Sequence, residues 1–125
     1  MLVLVVDDEE SVCSSIADYL RQEGFDVAEA CDGLCALEIA REQGINLAAV
    51  LTDVNMPQMN GIEMWKRMKP LVSPDCKVFF MSGLAHMYLE DDHKFSGELL
   101  PKPFLFSVLL AKLGKPPDDH VSQAC

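Results

Sequence analysis

Three short runs in this chain are apolar with almost no interruption: "LVLVV" (2–6), "LAAVL" (47–51) and the centre of "KVFFMSG" (77–83). A strand with one face in water alternates apolar and polar residues, so runs without alternation predict strands covered on both faces. Between them the pattern changes to helical spacing. "VCSSIADYLRQEG" (12–24) puts Val12, Ile16, Tyr19 and Leu20 on one side with Gly24 as a stop, and "CALEIAREQG" (35–44) ends the same way at Gly44. "GIEMWKRMK" (61–69) aligns Ile62, Trp65 and Met68 or Lys69, and Pro70 closes it. "AHMYLEDDHKF" (85–95) is a weaker amphipathic segment, and "LFSVLLAKLG" (105–114) is a last helix. "FDVAEA" (25–30) and "ELL" (98–100) read as two more strands. Five strands alternating with five helices predict an α/β fold: a doubly wound, five-stranded parallel sheet with helices on both faces.

In such sheets ligands sit beyond the carboxyl ends of the strands, where the winding direction switches. Asp7 and Asp8 follow the first strand, with Glu9 and Glu10 behind them. Asp53 follows the third, Ser82 and Gly83 the fourth, and Lys102 the fifth, between Pro101 and Pro103. Singly, each has a plain reading. "DDEE" suits a solvated helix N-terminus, Lys102 a surface lysine, and Ser82 and "MPQMNG" turns. Together they place carboxylates, a hydroxyl and an amine along one sheet edge. Crowded carboxylates must take up a proton or a cation. A hard divalent ion such as Mg²⁺ takes oxygen ligands of this kind. A carboxylate held by it can attack phosphorus, with the metal and Lys102 neutralising the phosphoryl oxygens. The Ser82 hydroxyl can hydrogen-bond a further oxygen, and Gly83 leaves room for the group to enter.

Composition narrows the class. A chain of 125 residues, half of them hydrophobic, is long enough for one domain with its own core. A formal net charge of −10 repels phosphate backbones and anionic lipid, so direct nucleic-acid binding and membrane docking are not expected. The first apolar run is too short for a signal peptide or a membrane span. The five cysteines (Cys13, Cys31, Cys35, Cys76, Cys125) form no C-x-x-C pair, which suits reduced thiols in a cytoplasmic protein. The methionines read as core and loop packing. His86, His93 and His120 lack ligand spacing and read as surface residues.

The set "VVDDE", "LTDVNMPQMNG", "MSG" and "PKPF" closely resembles the receiver domain of bacterial two-component response regulators, over residues 1 to about 114. The order and spacing of the four motifs carry the resemblance. It implies a flavodoxin-like strand order 2-1-3-4-5. It implies that Asp53 is the phosphoacceptor, fed by a sensor histidine kinase or a phosphotransfer protein. Asp7, Asp8, Asp53 and the backbone carbonyl of Asn55 would hold Mg²⁺ (or Mn²⁺). Ser82 and Lys102 would hold the phosphoryl group, and the Lys102–Pro103 bond would be cis. Asn55 and Leu84, two residues beyond the acceptor and the hydroxyl, would tune phosphoryl lifetime beside Gly83. One departure stands out: the family usually carries an aromatic switch residue three positions before the lysine, and here that position is Leu99. Phe95 and Tyr88 are the aromatics that could substitute.

Two alternatives share these residues. A Mg²⁺-dependent phosphohydrolase with an aspartyl intermediate would need a second acid shortly after the nucleophile, and position 55 is Asn. A degenerate receiver acting as a binding module would have lost an acid or the lysine, and all are present. Pro116 and Pro117 end the last helix, so 115–125 is expected to be a flexible tail. A DNA-binding segment is not expected to follow, and the output partner is not encoded in these residues. The expectation is a stand-alone regulator or a receiver cut from a longer protein such as a hybrid sensor kinase.

Overall fold

The computed structural model describes residues 1–82, 98–102 and 104–114, with the Ser82 side chain left out. Five strands form one parallel sheet in the order β2-β1-β3-β4-β5: β1 (Leu2–Val6), β2 (Asp26–Ala30), β3 (Leu47–Asp53), β4 (Lys77–Ser82) and β5 (Glu98–Pro101). The three central strands are the ones written as apolar runs. Val3 to Val6 of β1 are fully buried, while the edge strand β2 has exposed residues at Asp26 and Glu29. Burial on two faces or on one is what separates the two patterns.

Alternate residues of each central strand feed opposite cores. Leu4, Val6, Val50 and Phe80 pack on one face with α2 (Gly33–Gln43) and α3 (Gly61–Met68). Val3, Val5, Leu51, Phe79 and Met81 pack on the other with α1 (Glu10–Gln22) and α4 (Phe106–Leu113). The predicted architecture of a doubly wound sheet is therefore the observed one. Among the described residues no helix is long and apolar enough to cross a membrane.

Element ends differ from the sequence reading in physically explicable ways. Helix α1 starts at Glu10, ahead of its first apolar residue, because an acidic first turn suits the positive end of the helix dipole. Its buried stripe is Cys13, Ile16, Ala17 and Leu20, with Val12 and Tyr19 only half-buried. Helix α2 starts at Gly33 because Asp32 caps it, accepting the Cys35 N–H at 2.8 Å. Gly44 is in a right-handed conformation and opens a 3-10 turn (Gly44–Asn46), so it is no left-handed stop. Helix α3 buries Gly61, Met64, Trp65 and Met68, and Ile62 is half-buried. Lys69 and Pro70 belong to a 3-10 turn (Lys69–Leu71), since proline ends the α-helical ladder. Met56, Met59, Met64, Met68 and Met81 are all buried, as packing residues should be. The helix expected at 85–95, the three histidines and the 115–125 tail lie outside the described residues.

Candidate acidic phosphoryl site

The winding direction switches between β1 and β3, because β2 lies on one side of β1 and β3 to β5 on the other. Val6 is in register with Thr52, so Asp7 and Asp53 leave adjacent strands side by side at that crevice. Ser82 is in register with Pro101, which brings Lys102 to the same edge from β5.

Each side chain is held by its local backbone. Asp7 is fully buried, and its N–H donates to Ala30 O at 3.2 Å. Its Oδ1 accepts the Glu9 N–H at 2.9 Å, a tie possible only because the chain turns into α1 at once. Asp53, 7% exposed, is the last residue of β3 rather than a loop residue, and its Oδ1 accepts the Asn55 N–H at 3.3 Å. Lys102 bridges the two acids: Nζ lies 3.2 Å from Asp7 Oδ2 and 3.6 Å from Asp53 Oδ2. Asp8 is exposed. One carboxylate oxygen from each of Asp7, Asp8 and Asp53 lies within 4.8 Å of the others.

Charge and burial act against each other here. Burial pushes the Asp53 carboxyl above its ordinary value, Lys102 pulls it down, and Asp7 and Asp8 push it up, with a net rise. Burial acts to lower the Lys102 amine, but Asp53 and Asp7 outweigh it and the net direction is up. Three carboxylates facing one ammonium leave an excess of negative charge within a few ångströms. Hard oxygen donors so arranged fit a divalent cation.

Two residues that the sequence reading passed over support Asp53. Thr52 is fully buried and its hydroxyl donates to the Asp53 carbonyl at 3.0 Å. Gly61 lies against the same carbonyl: a Cβ there would sit 2.2 Å from Asp53 O, and its N–H bonds Val54 O at 2.9 Å. The hydroxyl residue that breaks the apolar run just before the acid was the legible signal for Thr52; nothing local marks Gly61 as more than a turn. Leu99 pairs with Phe80 and is half-buried against the core that holds Trp65. The Ser82 side chain, Gly83, Leu84 and Pro103 lie outside the described residues, as do Phe95 and Tyr88. An open groove of about 550 Å³ runs from Glu9 and Lys102 along Val12, Ile16, Phe104 and Phe106.

A family model described as the response regulator receiver domain matches residues 3–113. The chain belongs to that family. Receiver domains are the phosphoacceptor switches of two-component signalling; they bind Mg²⁺ in an acidic pocket and interact with kinases or phosphotransfer proteins. This receiver domain is 39% identical over 106 residues to the sensor kinase CckA of Brucella abortus (strain 2308), covering 82% of this chain but 11% of that protein. It thus spans a small fraction of that relative's length. A crystal structure of the receiver domain from the hybrid histidine kinase CckA superposes with a TM-score of 0.78 at 31% identity, covering 90% of this chain and 95% of that one. The response regulator TrrA of Thermotoga maritima, solved in complex with Mg²⁺ and BeF, gives a TM-score of 0.75 at 27% identity over 90% of this chain and 95% of that one.

Proposed function

We propose that Asp53 of this receiver domain accepts a phosphoryl group from a phosphohistidine, with Mg²⁺ (or Mn²⁺) held by Asp7, Asp8, Asp53 and the Asn55 carbonyl. The observation that carries this reading is the convergence of three carboxylates around one lysine at the switch point of the sheet. An Asp53 carboxylate oxygen attacks phosphorus, the P–N bond breaks, and the imidazole leaves with its electron pair. The metal supplies charge neutralisation on the phosphoryl oxygens. Lys102 is already poised between Asp7 and Asp53, and transfer lets it move onto the new phosphoryl group. Ser82 hydrogen-bonds another oxygen, and Asn55, Gly83 and Leu84 tune hydrolysis. With Leu99 in place of an aromatic switch residue, the conformational readout does not run through a ring at that position.

The donor is a sensor histidine kinase or phosphotransfer domain in the cytoplasm, and the groove leading to Lys102 is the approach for its histidine. Phosphoramidate, a small P–N donor, tests the assignment. Labelling that needs Mg²⁺ and is lost in Asp53→Ala supports it. Labelling that persists in Asp53→Ala contradicts it, no labelling points to a binding module, and sustained turnover of a phosphomonoester points to a hydrolase.

A further inference from the structure

The turn from β2 into α2 reads Cys31-Asp32-Gly33-Leu34-Cys35. Cys31 is exposed, Cys35 is half-buried, and both are free thiols. The Asp32 cap makes Cys35 the third residue of α2, the position whose side chain reaches back over the cap in a reciprocal capping arrangement. Here that side chain is a thiol, with Cys31 directly before the capping residue. The cap thus fixes the two cysteines on either side of one turn, Cys31 just before it and Cys35 in the first turn of α2.

We propose that Cys31 and Cys35 form an oxidant-sensitive dithiol site, converted by hydroperoxides to a disulfide within the turn. The exposed Cys31 thiolate attacks a peroxide oxygen, the O–O bond breaks, and a sulfenic acid and one water form. The Cys35 sulfur then attacks the Cys31 sulfur, the S–O bond breaks, and a second water leaves. The two thiols give up two electrons and two protons, and one hydrogen peroxide is reduced to water. Burial, then the neighbouring Cys31 and Asp32, raise the Cys35 thiol, so the exposed Cys31 is the one that meets the peroxide first. Burial pushes Cys13 and Cys76 up to about 11, which spares them.

The site adjoins the acidic pocket without sharing a residue with it. Ala30, directly before Cys31, accepts the Asp7 N–H, and a Cβ on Gly33 would meet Met59 Sδ at 3.0 Å in the loop after Asp53. The dithiol reading stands independently of the phosphoacceptor assignment.

The test uses the full chain, hydrogen peroxide, quenching, denaturing alkylation and trypsin. The peptide 22–41, between Arg21 and Arg41, contains Cys31 and Cys35 and no other cysteine. It should come out lighter by two hydrogens, take no alkyl group, and regain two alkylatable thiols after dithiothreitol. In Cys35→Ser, Cys31 should stop at a sulfenic acid that dimedone traps. The same oxidation in urea should form the cross-link more slowly, since the cap is gone. Independent alkylation of the two thiols after oxidation, Cys31 joined to another peptide or copy, or equal rates folded and unfolded would overturn the proposal.

Discussion

Lys102 answers two carboxylates at once, and this makes its removal informative. Lys102→Ala leaves the buried Asp7 carboxylate with its Glu9 N–H but no cation, at a cost of roughly 1–3 kcal/mol. The lysine also competes with a metal for the same oxygens. Calorimetry should therefore find Mg²⁺ bound more tightly to Lys102→Ala, while the rate of labelling by a phosphodonor falls. Tighter labelling kinetics, or weaker Mg²⁺ binding, would mean that Lys102 does not face the metal ligands. Asp53 gives a pH prediction. Burial leads the net rise of its carboxyl from the ordinary 3.8, so the folded chain holds that proton more firmly than the unfolded chain. Its favourable share of stability is complete below 3.8 and is lost as pH rises through the higher folded value. Asp53→Asn should thus raise the urea midpoint at pH 7, with a gain that shrinks as pH falls toward 3.8. At this scale Asp7, Asp8, Asp53 and Lys102 were legible, because acids and an amine directly after apolar strands have few structural explanations. Gly61 was not, because its role depends on where the Asp53 carbonyl points, and Thr52 showed only as a hydroxyl interrupting the apolar run.

Among the elements, the connection from β3 into α3 carries the greatest demand. It ends Asp53 inside the sheet, passes Gln58 at a positive φ of 71°, and returns Gly61 to the back of the Asp53 carbonyl. A methyl group at Gly61 meets backbone, which cannot rotate away. Gly61→Ala should destabilise the fold by about 1–3 kcal/mol in urea titration. It should also slow labelling more than the fraction unfolded explains, because Asp53 itself is displaced. A loss of stability with an unchanged rate per folded molecule would show that the carbonyl shift does not reach the carboxylate. Apolar spacing located every described helix and, in α1 and α3, the centre of the buried face, but not its flanks. In α1 the pattern named Val12 and Tyr19, while burial fell on Cys13 and Ala17, one step round the helix. Which flank is covered depends on the neighbouring element, and a single helix does not encode that.

For the molecule as a whole, the uninterrupted apolar runs made the parallel, doubly wound sheet legible, and the family resemblance supplied its strand order. The acidic excess is also a whole-molecule property. A net charge of −10 with three carboxylates at one crevice should make stability respond to divalent cations beyond simple screening. Mg²⁺ at 100 times its dissociation constant should add about 2.7 kcal/mol by mass action, and Asp53→Ala should lose most of that gain. An equal gain in both proteins would assign the effect to the general surface. The most direct measurement is intact-protein mass after incubation with Mg²⁺ and a small phosphodonor, followed by peptide mapping. One phosphoryl group is predicted, on Asp53, absent with EDTA and absent in Asp53→Ala. A phosphoryl group that maps elsewhere, or that forms without the metal, would contradict the account.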